Sequence, residues 1–285
     1  MNPAAVGLVL VAALAHAAWN FSAKRASAGG ALFVWLYQAT SAVICLPVAA
    51  VALVLTDAEP HWNWLFAAGV SAVLHVAYGL VLQQGYAVGD MSVVYPVARG
   101  SGPLLSVVAA VTFLNERPGP LALLGAAGVV AGVFVVGLGG GHRVAVGPSL
   151  LHGGLTGVAI AGYTLWDAHS VTALAVPPLI YFCTGGVIQS LILAPHAVRS
   201  RHLVQDLWRR HRVDVLVIAV LSPLAYVCVL YAMRIAPVSM VAPARELSIV
   251  FGSVIAWRWL KEPDPVRRLT GACIVLAGVT AIAFA

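Results

Sequence analysis

The chain repeats one sequence pattern, and this repeat constrains its fold more than any other feature. Residues 97–118 and 243–263 each carry an arginine, a run of apolar and small residues, and a glutamate close to a proline. Arg99 and Arg245 are 146 residues apart. The same interval, or one residue more, separates the other matched pairs: Glu116 and Glu262, Gly125 and Gly271, Gly132 and Gly278, Trp19 and Trp166, and Asn20 and Asp167. A chain made of two diverged copies must fold so that each copy is one structural unit.

Most of the chain is apolar enough to lie in a lipid bilayer. The sequence is 61% hydrophobic and 9% charged, with a mean hydropathy of +0.94, which is far from the balance of soluble domains. A helix that crosses the hydrocarbon core needs roughly 20 mostly apolar residues. Ten such stretches predict an all-α integral membrane protein with ten transmembrane helices, at 3–22, 31–55, 63–84, 91–113, 119–138, 150–168, 177–195, 213–233, 238–259 and 266–284.

The repeat divides these ten helices into two sets of five. We expect a first repeat at 1–138, a glycine-rich linker at 139–149 and a second repeat at 150–285. Because five is an odd number, the second repeat enters the membrane from the opposite face. The sequence therefore predicts two inverted five-helix repeats around a central cavity.

The basic residues indicate an orientation in the membrane. Lys24 and Arg25 follow helix 1, whereas Asp167 and His169 are expected in the matching loop after helix 6. Twelve of the 16 lysines and arginines fall in odd-numbered loops, so the positive-inside rule predicts that these loops are cytoplasmic and that both termini lie outside. Topology and anionic lipid headgroups then account for the net charge of +6, and no nucleic-acid partner is expected.

Four segments, 16–26, 92–133, 162–170 and 243–279, resemble one family of membrane proteins. Their order and their paired occurrence are similar to the EamA-type, ten-helix, two-repeat members of the drug/metabolite transporter superfamily. The resemblance covers nearly the whole chain. It implies a secondary transporter of the bacterial inner membrane that moves small metabolites or xenobiotics, often outward, through a cavity between the halves. Such relatives are usually drawn with both termini in the cytoplasm, opposite to the orientation that the charges predict here.

Two arginines lie deep within the predicted helices. Arg99 is eight residues past Met91, and Arg245 is seven past Val238, which corresponds to roughly 10–12 Å along a helix. A charge at the helix centre costs about 3 kcal/mol or more, and it persists where it faces water or a partner. The relation between the repeats predicts that both arginines face one central space. Alternatively, each arginine bonds backbone carbonyls that a nearby proline has freed.

Other predicted helices carry polar side chains at helical spacing, which membrane helices usually turn toward other helices or water. The expected substrate cavity consists of His16, Asn20, His75, Tyr78, Arg99, Tyr163, Trp166, Ser222, Tyr226 and Arg245. Glu246 and Asp167 are candidate proton carriers. Alternatively, Glu246 lies at a polar interface or pairs with another helix. For each polar stripe, the alternative is hydrogen bonding that only holds the bundle together. Glu116 and Glu262 are expected to be solvated caps or interface ion pairs.

The helices without polar groups have a different expected role. Helices 5 and 10 carry glycines at small-residue spacing, which predicts a packing surface or a homodimer surface rather than a pathway. No spacing typical of a metal site or a phosphate loop occurs, so neither a metal nor another cofactor is expected.

The sequence therefore favours a gradient-driven transporter over an enzyme. We expect an exporter of small metabolites such as amino acids or organic acids, which works by alternating access between the two repeats. The alternatives are an intramembrane enzyme and a non-transporting membrane scaffold. Ser101 is flanked by glycines, but the residue two positions before it is Arg99, so the spacing of a serine nucleophile motif is not met.

Overall fold

The fold is a bundle of helices. The computed structural model describes residues 1–26, 29–56, 60–88, 91–137, 146–252 and 265–285. We number the helices α1 Pro3–Arg25, α2 Gly30–Thr56, α3 Trp62–Val88, α4 Met91–Phe113, α5 Pro120–Gly137, α6 Val146–Thr172, α7 Pro178–Arg199, α8 Arg201–Ile235, α9 Val238–Ala244 and α10 Pro265–Phe284. A 3₁₀ turn, Arg245–Leu247, follows α9 and leads into helical residues 248–252.

The helices have the length and composition of membrane spans. Within the described residues, α1 to α4, α7 and α8 are long and apolar enough to cross a bilayer, whereas α5 and α10 are apolar but shorter. The prediction of an all-α, multi-pass membrane protein is therefore confirmed. The count of ten spans stays a prediction, since residues 253–264 lie outside the part of the chain that the structure describes.

Three expected loops differ in the structure. Asp167 and His169 lie inside α6 rather than in a loop after it, because the helix continues to Thr172. The last four residues of the expected linker, 146–149, are helical, whereas 139–145 lie outside the described residues. The basic segment after α7 is also helical. It forms the first ten residues of α8, which bends at His211, where the backbone leaves helical geometry.

Helices α5 and α10 run antiparallel and touch through glycines. A Cβ atom added at Gly125 would lie 2.6 Å from the carbonyl oxygen of Gly278, and one added at Gly132 would lie 2.7 Å from that of Gly271. Gly125 is the repeat equivalent of Gly271, and Gly132 is that of Gly278. Gly125 thus contacts the equivalent of Gly132, and Gly132 contacts the equivalent of Gly125. This is the pattern of a two-fold contact. The expected glycine face is a packing surface used within the chain.

Helices α2 and α7, another repeat-matched pair, also pack antiparallel. In α2 and α7, Trp35 donates its indole N–H to the Ser190 carbonyl at 3.0 Å, and the Cys183 thiol lies 3.4 Å from the Cys45 carbonyl. Helix α1 packs against α8, and α3 packs against α6. Because α1 matches α6 and α3 matches α8 in the repeat, these two contacts are equivalent. The two repeats are therefore interleaved rather than side by side.

The bundle has two chemically different ends. At the terminal end, the Met1 ammonium donates to the Ala283 carbonyl at 2.9 Å, and a large apolar cluster joins α1, α3, α4 and α6 to α9. The opposite end, which we call the basic end, carries exposed arginines: Arg25, Arg199, Arg201, Arg209 and Arg210.

Glu116 joins the repeats at the terminal end. Its carboxylate accepts hydrogen bonds from the backbone N–H groups of Val238 at 2.8 Å and Ser239 at 2.9 Å. These N–H groups begin α9 and have no partner within that helix, so the carboxylate caps a helix of the other repeat. Glu262, its repeat equivalent, lies outside the described residues.

The glycine contact between α5 and α10 predicts a difference between two similar substitutions. Gly132→Ala places a methyl group against the backbone of α10, and overpacking of this kind costs about 1–3 kcal/mol. Gly128→Ala is the matched control on the same helix, because its Cβ would meet Gly278 at 3.6 Å, an ordinary contact distance. Thermal unfolding of the purified proteins in detergent should show a lower midpoint for Gly132→Ala than for Gly128→Ala. Equal midpoints would contradict the observed packing.

Candidate functional site

A buried cavity lies where the interleaved repeats meet. Its volume is about 90 Å³, below the ~300 Å³ of small ligand pockets. The lining residues come from α1, α4, α6, α8 and the 3₁₀ turn, and they are Ala12, His16, Trp19, Arg99, Tyr163, Ser222, Ala225, Tyr226, Val229 and Arg245.

The structure brings six of the ten expected cavity residues to this cavity: His16, Arg99, Tyr163, Ser222, Tyr226 and Arg245. His75 and Tyr78 contact the ring of Tyr163 and are not among the lining residues. Trp166 is used for packing, since its indole N–H donates to the Ala67 carbonyl at 2.9 Å. Asn20 is exposed, and its amide donates to the His16 carbonyl one turn earlier in α1.

Small residues around Arg99 let α4 approach its neighbours closely. A Cβ at Gly100 would lie 2.7 Å from the Phe134 ring of α5, and one at Gly102 would lie 2.6 Å from Ile160 of α6. The Ser101 hydroxyl between them donates to a carbonyl of its own helix at 2.6 Å. The Arg-Gly-Ser-Gly sequence therefore fits α4 between two helices and presents the arginine to the cavity.

Arg99, Arg245 and Glu246 form what we call the arginine cluster. Arg99 Nη2 lies 3.0 Å from Glu246 Oε2, and Arg245 Nε lies 3.6 Å from Glu246 Oε1. The glutamate side chain is only 1% exposed. One carboxylate thus serves two guanidinium groups that come from different repeats, which is the pairing with another helix considered for Glu246.

Hydrogen bonding in the arginine cluster is incomplete. Arg245 Nε and Nη2, and both carboxylate oxygens of Glu246, are buried and make no hydrogen bond of good geometry to the described residues. The Arg245 guanidinium also lies 5.9 Å from the centre of the Tyr163 ring, within the range of a cation–π contact. The attraction between the charges is therefore present, but part of the hydrogen-bonding capacity of Arg245 is unused.

Asp167 is the centre of a second group, the aspartate cluster. Its carboxylate is fully buried and accepts hydrogen bonds from Ser71 Oγ at 2.7 Å, from Tyr181 OH at 2.6 Å and from Tyr226 OH. His75 Nε2 lies 3.9 Å from the same carboxylate. These partners come from α3, α7 and α8, so a single acidic group ties four helices together.

Tyr163 lies between the two clusters. Its ring stacks on His75 with centroids 4.2 Å apart and planes 28° apart, and Arg245 approaches the same ring. Tyr226 lines the cavity while donating to Asp167. Two tyrosines therefore connect the aspartate cluster to the cavity.

Three polar or aromatic residues of the site were not expected from the sequence. Trp19 lies three residues after His16 on the same face of α1. Its repeat equivalent, Trp166, could have pointed to it. Ser71 lies one turn before His75 in α3 and hydrogen-bonds with it at 3.3 Å, so the same periodicity could have found it. Tyr181 follows the proline-rich start of α7, where no pattern in the sequence points to a site.

Comparison with known proteins agrees with this architecture. A crystal structure superposes on 100% of this chain and 98% of its own with a TM-score of 0.78, at 14% sequence identity, which shows a shared fold. No curated protein matches the sequence significantly. The model of the EamA-like transporter family matches twice, at residues 3–138 and 151–284, in agreement with the repeat and the two interleaved halves. The chain therefore belongs to the EamA-like transporter family of the drug/metabolite transporter superfamily.

Proposed function

We propose that the protein is a secondary transporter that exports small metabolites bearing a carboxylate, such as amino acids or organic acids. Membership of the EamA-like family supports membrane transport. The observation that carries the substrate class is the convergence of Arg99 and Arg245 on one buried cavity. A charged group at this depth is costly, so its presence favours a role in binding a charged substrate.

The chemistry of the cavity suits a carboxylate attached to an apolar or aromatic group. A guanidinium group presents a planar fork of N–H donors that matches the two oxygens of a carboxylate. Two nitrogens of Arg245 have no hydrogen bond to the described residues and are available for such a ligand. Around them, Trp19, Tyr163 and Tyr226 offer ring surfaces to the rest of the molecule.

The packing supports alternating access by two inverted repeats. Repeat-equivalent helices run antiparallel in the pairs α5–α10 and α2–α7, as an axis in the membrane plane requires. Because α1 packs on α8 and α3 packs on α6, each moving unit combines helices from both repeats. We propose that α1 with α8 moves relative to α3 with α6, and that the apolar cluster at the terminal end separates when that end opens.

The distribution of basic residues supports an orientation. The exposed arginines gather at one end of the bundle, and such residues favour the cytoplasmic face. We propose that the basic end faces the cytoplasm of a bacterial cell and that both termini lie outside.

Asp167 is better suited than Glu246 to couple transport to a proton gradient. Glu246 is held between two arginines, at 3.0 Å and 3.6 Å, and shares its carboxylate with both. Asp167 has an imidazole 3.9 Å away that can hold a proton, and hydroxyl groups of Ser71, Tyr181 and Tyr226 that can relay one. We propose that the aspartate cluster carries the coupling and that the arginine cluster binds the substrate.

Substitution of either cavity arginine should abolish export. Arg99→Lys and Arg245→Lys keep the charge but lose the planar fork, and weakening a buried, hydrogen-bonded charge contact costs about 2–5 kcal/mol, or at least tenfold in affinity. Mass spectrometry of medium and cell extracts would identify exported compounds and measure their loss. The exposed Arg234→Lys is the control. Wild-type export by both cavity variants would refute the proposed site, and turnover of a compound in detergent, without a second compartment, would identify an enzyme instead.

Export should depend on the pH gradient through Asp167. In proteoliposomes, collapse of the gradient with an ionophore should slow wild-type efflux several-fold. Asp167→Asn removes the acidic group with little change in shape, so its efflux should no longer respond to the gradient. The exposed Asp206→Asn serves as the matched control and should respond like the wild type. A wild-type flux that is unchanged by collapse of the gradient would rule out proton coupling.

A further inference from the structure

The arginine cluster already contains a carboxylate in the position where a substrate carboxylate would bind. Glu246 contacts guanidinium groups of both repeats, at 3.0 Å and 3.6 Å, and its side chain is 1% exposed. Both arginines also line the cavity, whereas Glu246 does not. A ligand that enters the cavity therefore meets the same two cations that Glu246 contacts.

The contacts of Glu246 offset part of the charge of the arginines but leave hydrogen bonds unmade. Its two oxygens make no hydrogen bond of good geometry to the described residues, and neither do Nε and Nη2 of Arg245. A buried pair gains most when its hydrogen bonds are complete. A ligand carboxylate that binds the fork of Arg245 in two places would form bonds that Glu246 does not form.

An empty transporter has to close around its site before it can return to the other face. Two guanidinium groups without a counter-charge would oppose this closure, because desolvation of an unpaired charge is costly. Among the described residues that line the cavity beside the arginines, His16, Tyr163 and Tyr226 supply no fixed negative charge at neutral pH. Asp167 is occupied by its three hydroxyl donors. In the part of the chain that the structure describes, Glu246 is thus the carboxylate that contacts both arginines, and it lowers the charge of the three side chains from +2 to +1.

We propose that Glu246 is a built-in competitor of the substrate carboxylate, and that it permits the empty carrier to return. The inference rests on the proposed function and deepens it. Substrate binding displaces Glu246 from Arg245, and release of the substrate lets the glutamate pair with that arginine again. Net export without a counter-substrate follows, since Glu246 leaves these three side chains with one positive charge rather than two. Without the glutamate, the carrier would return only with a second anion bound and would act as an exchanger.

Binding measurements on the purified protein test the competition. The probes are sodium lactate, sodium benzoate and L-valine, with sodium chloride at equal ionic strength as the reference, and binding is followed by the shift of the thermal unfolding midpoint. Glu246→Gln removes the competing charge and keeps the shape, so it should bind at least one probe about tenfold or more tightly than the wild type. Asp206→Asn, an exposed change from carboxylate to amide, should bind like the wild type. Equal or weaker binding by Glu246→Gln would overturn the proposal.

Flux measurements separate net export from exchange. Proteoliposomes loaded with the radiolabelled probe that binds are diluted into buffer with or without the same unlabelled compound outside. Wild-type efflux should proceed at a similar rate in both buffers. Efflux through Glu246→Gln should be at least tenfold faster with the external compound. Net efflux through Glu246→Gln at the wild-type rate would refute the return role of Glu246.

The outcomes for the wild-type protein keep the inference separate from the proposed function. If Glu246→Gln does not fold, the wild type alone decides: efflux that requires external substrate would overturn the role of Glu246 while leaving transport of carboxylates intact. If the wild type binds and moves none of the three probes, the proposed substrate class fails, and the role of Glu246 fails with it.

Discussion

The neutralisation of buried charge is the interaction on which the rest of the structure depends. Two arginines from different repeats share one glutamate inside an apolar bundle, where an unpaired charge would be costly. This requirement brings α4 to the turn after α9, and the glycines beside Arg99 make the approach possible. The cavity exists because these three side chains must lie together while the helices around them stay apart.

The internal repeat was enough to predict much of the architecture. The matched arginines, the matched glycines and the apolar stretches predicted an all-helical membrane protein. The family that they resemble is confirmed by the comparison. Periodicity also located most of the cavity, because His16, Ser222 and Tyr226 lie on inward faces. The structure places Asn20 at the surface, one residue beyond the cavity-lining Trp19. A step of 100° along a helix is enough to turn a side chain from the cavity to the surface.

Partnerships between distant residues could not be predicted in the same way. Asp167 seemed to belong to a loop because charge usually marks a boundary, yet three hydroxyl groups from three helices allow the carboxylate to lie inside α6. Glu116 likewise caps a helix that begins more than one hundred residues later. Such contacts depend on how the repeats interleave, and local sequence carries no information about it.

The crossed glycine contact between α5 and α10 also bears on the origin of the fold. Each glycine touches the equivalent of the other, so the contact uses only features that both repeats possess. Two identical five-helix chains, inserted in opposite directions, could form the same surface between Gly125 of one copy and Gly132 of the other. The present chain thus contains, within one polypeptide, an interface that would also hold together a dimer of two single five-helix repeats.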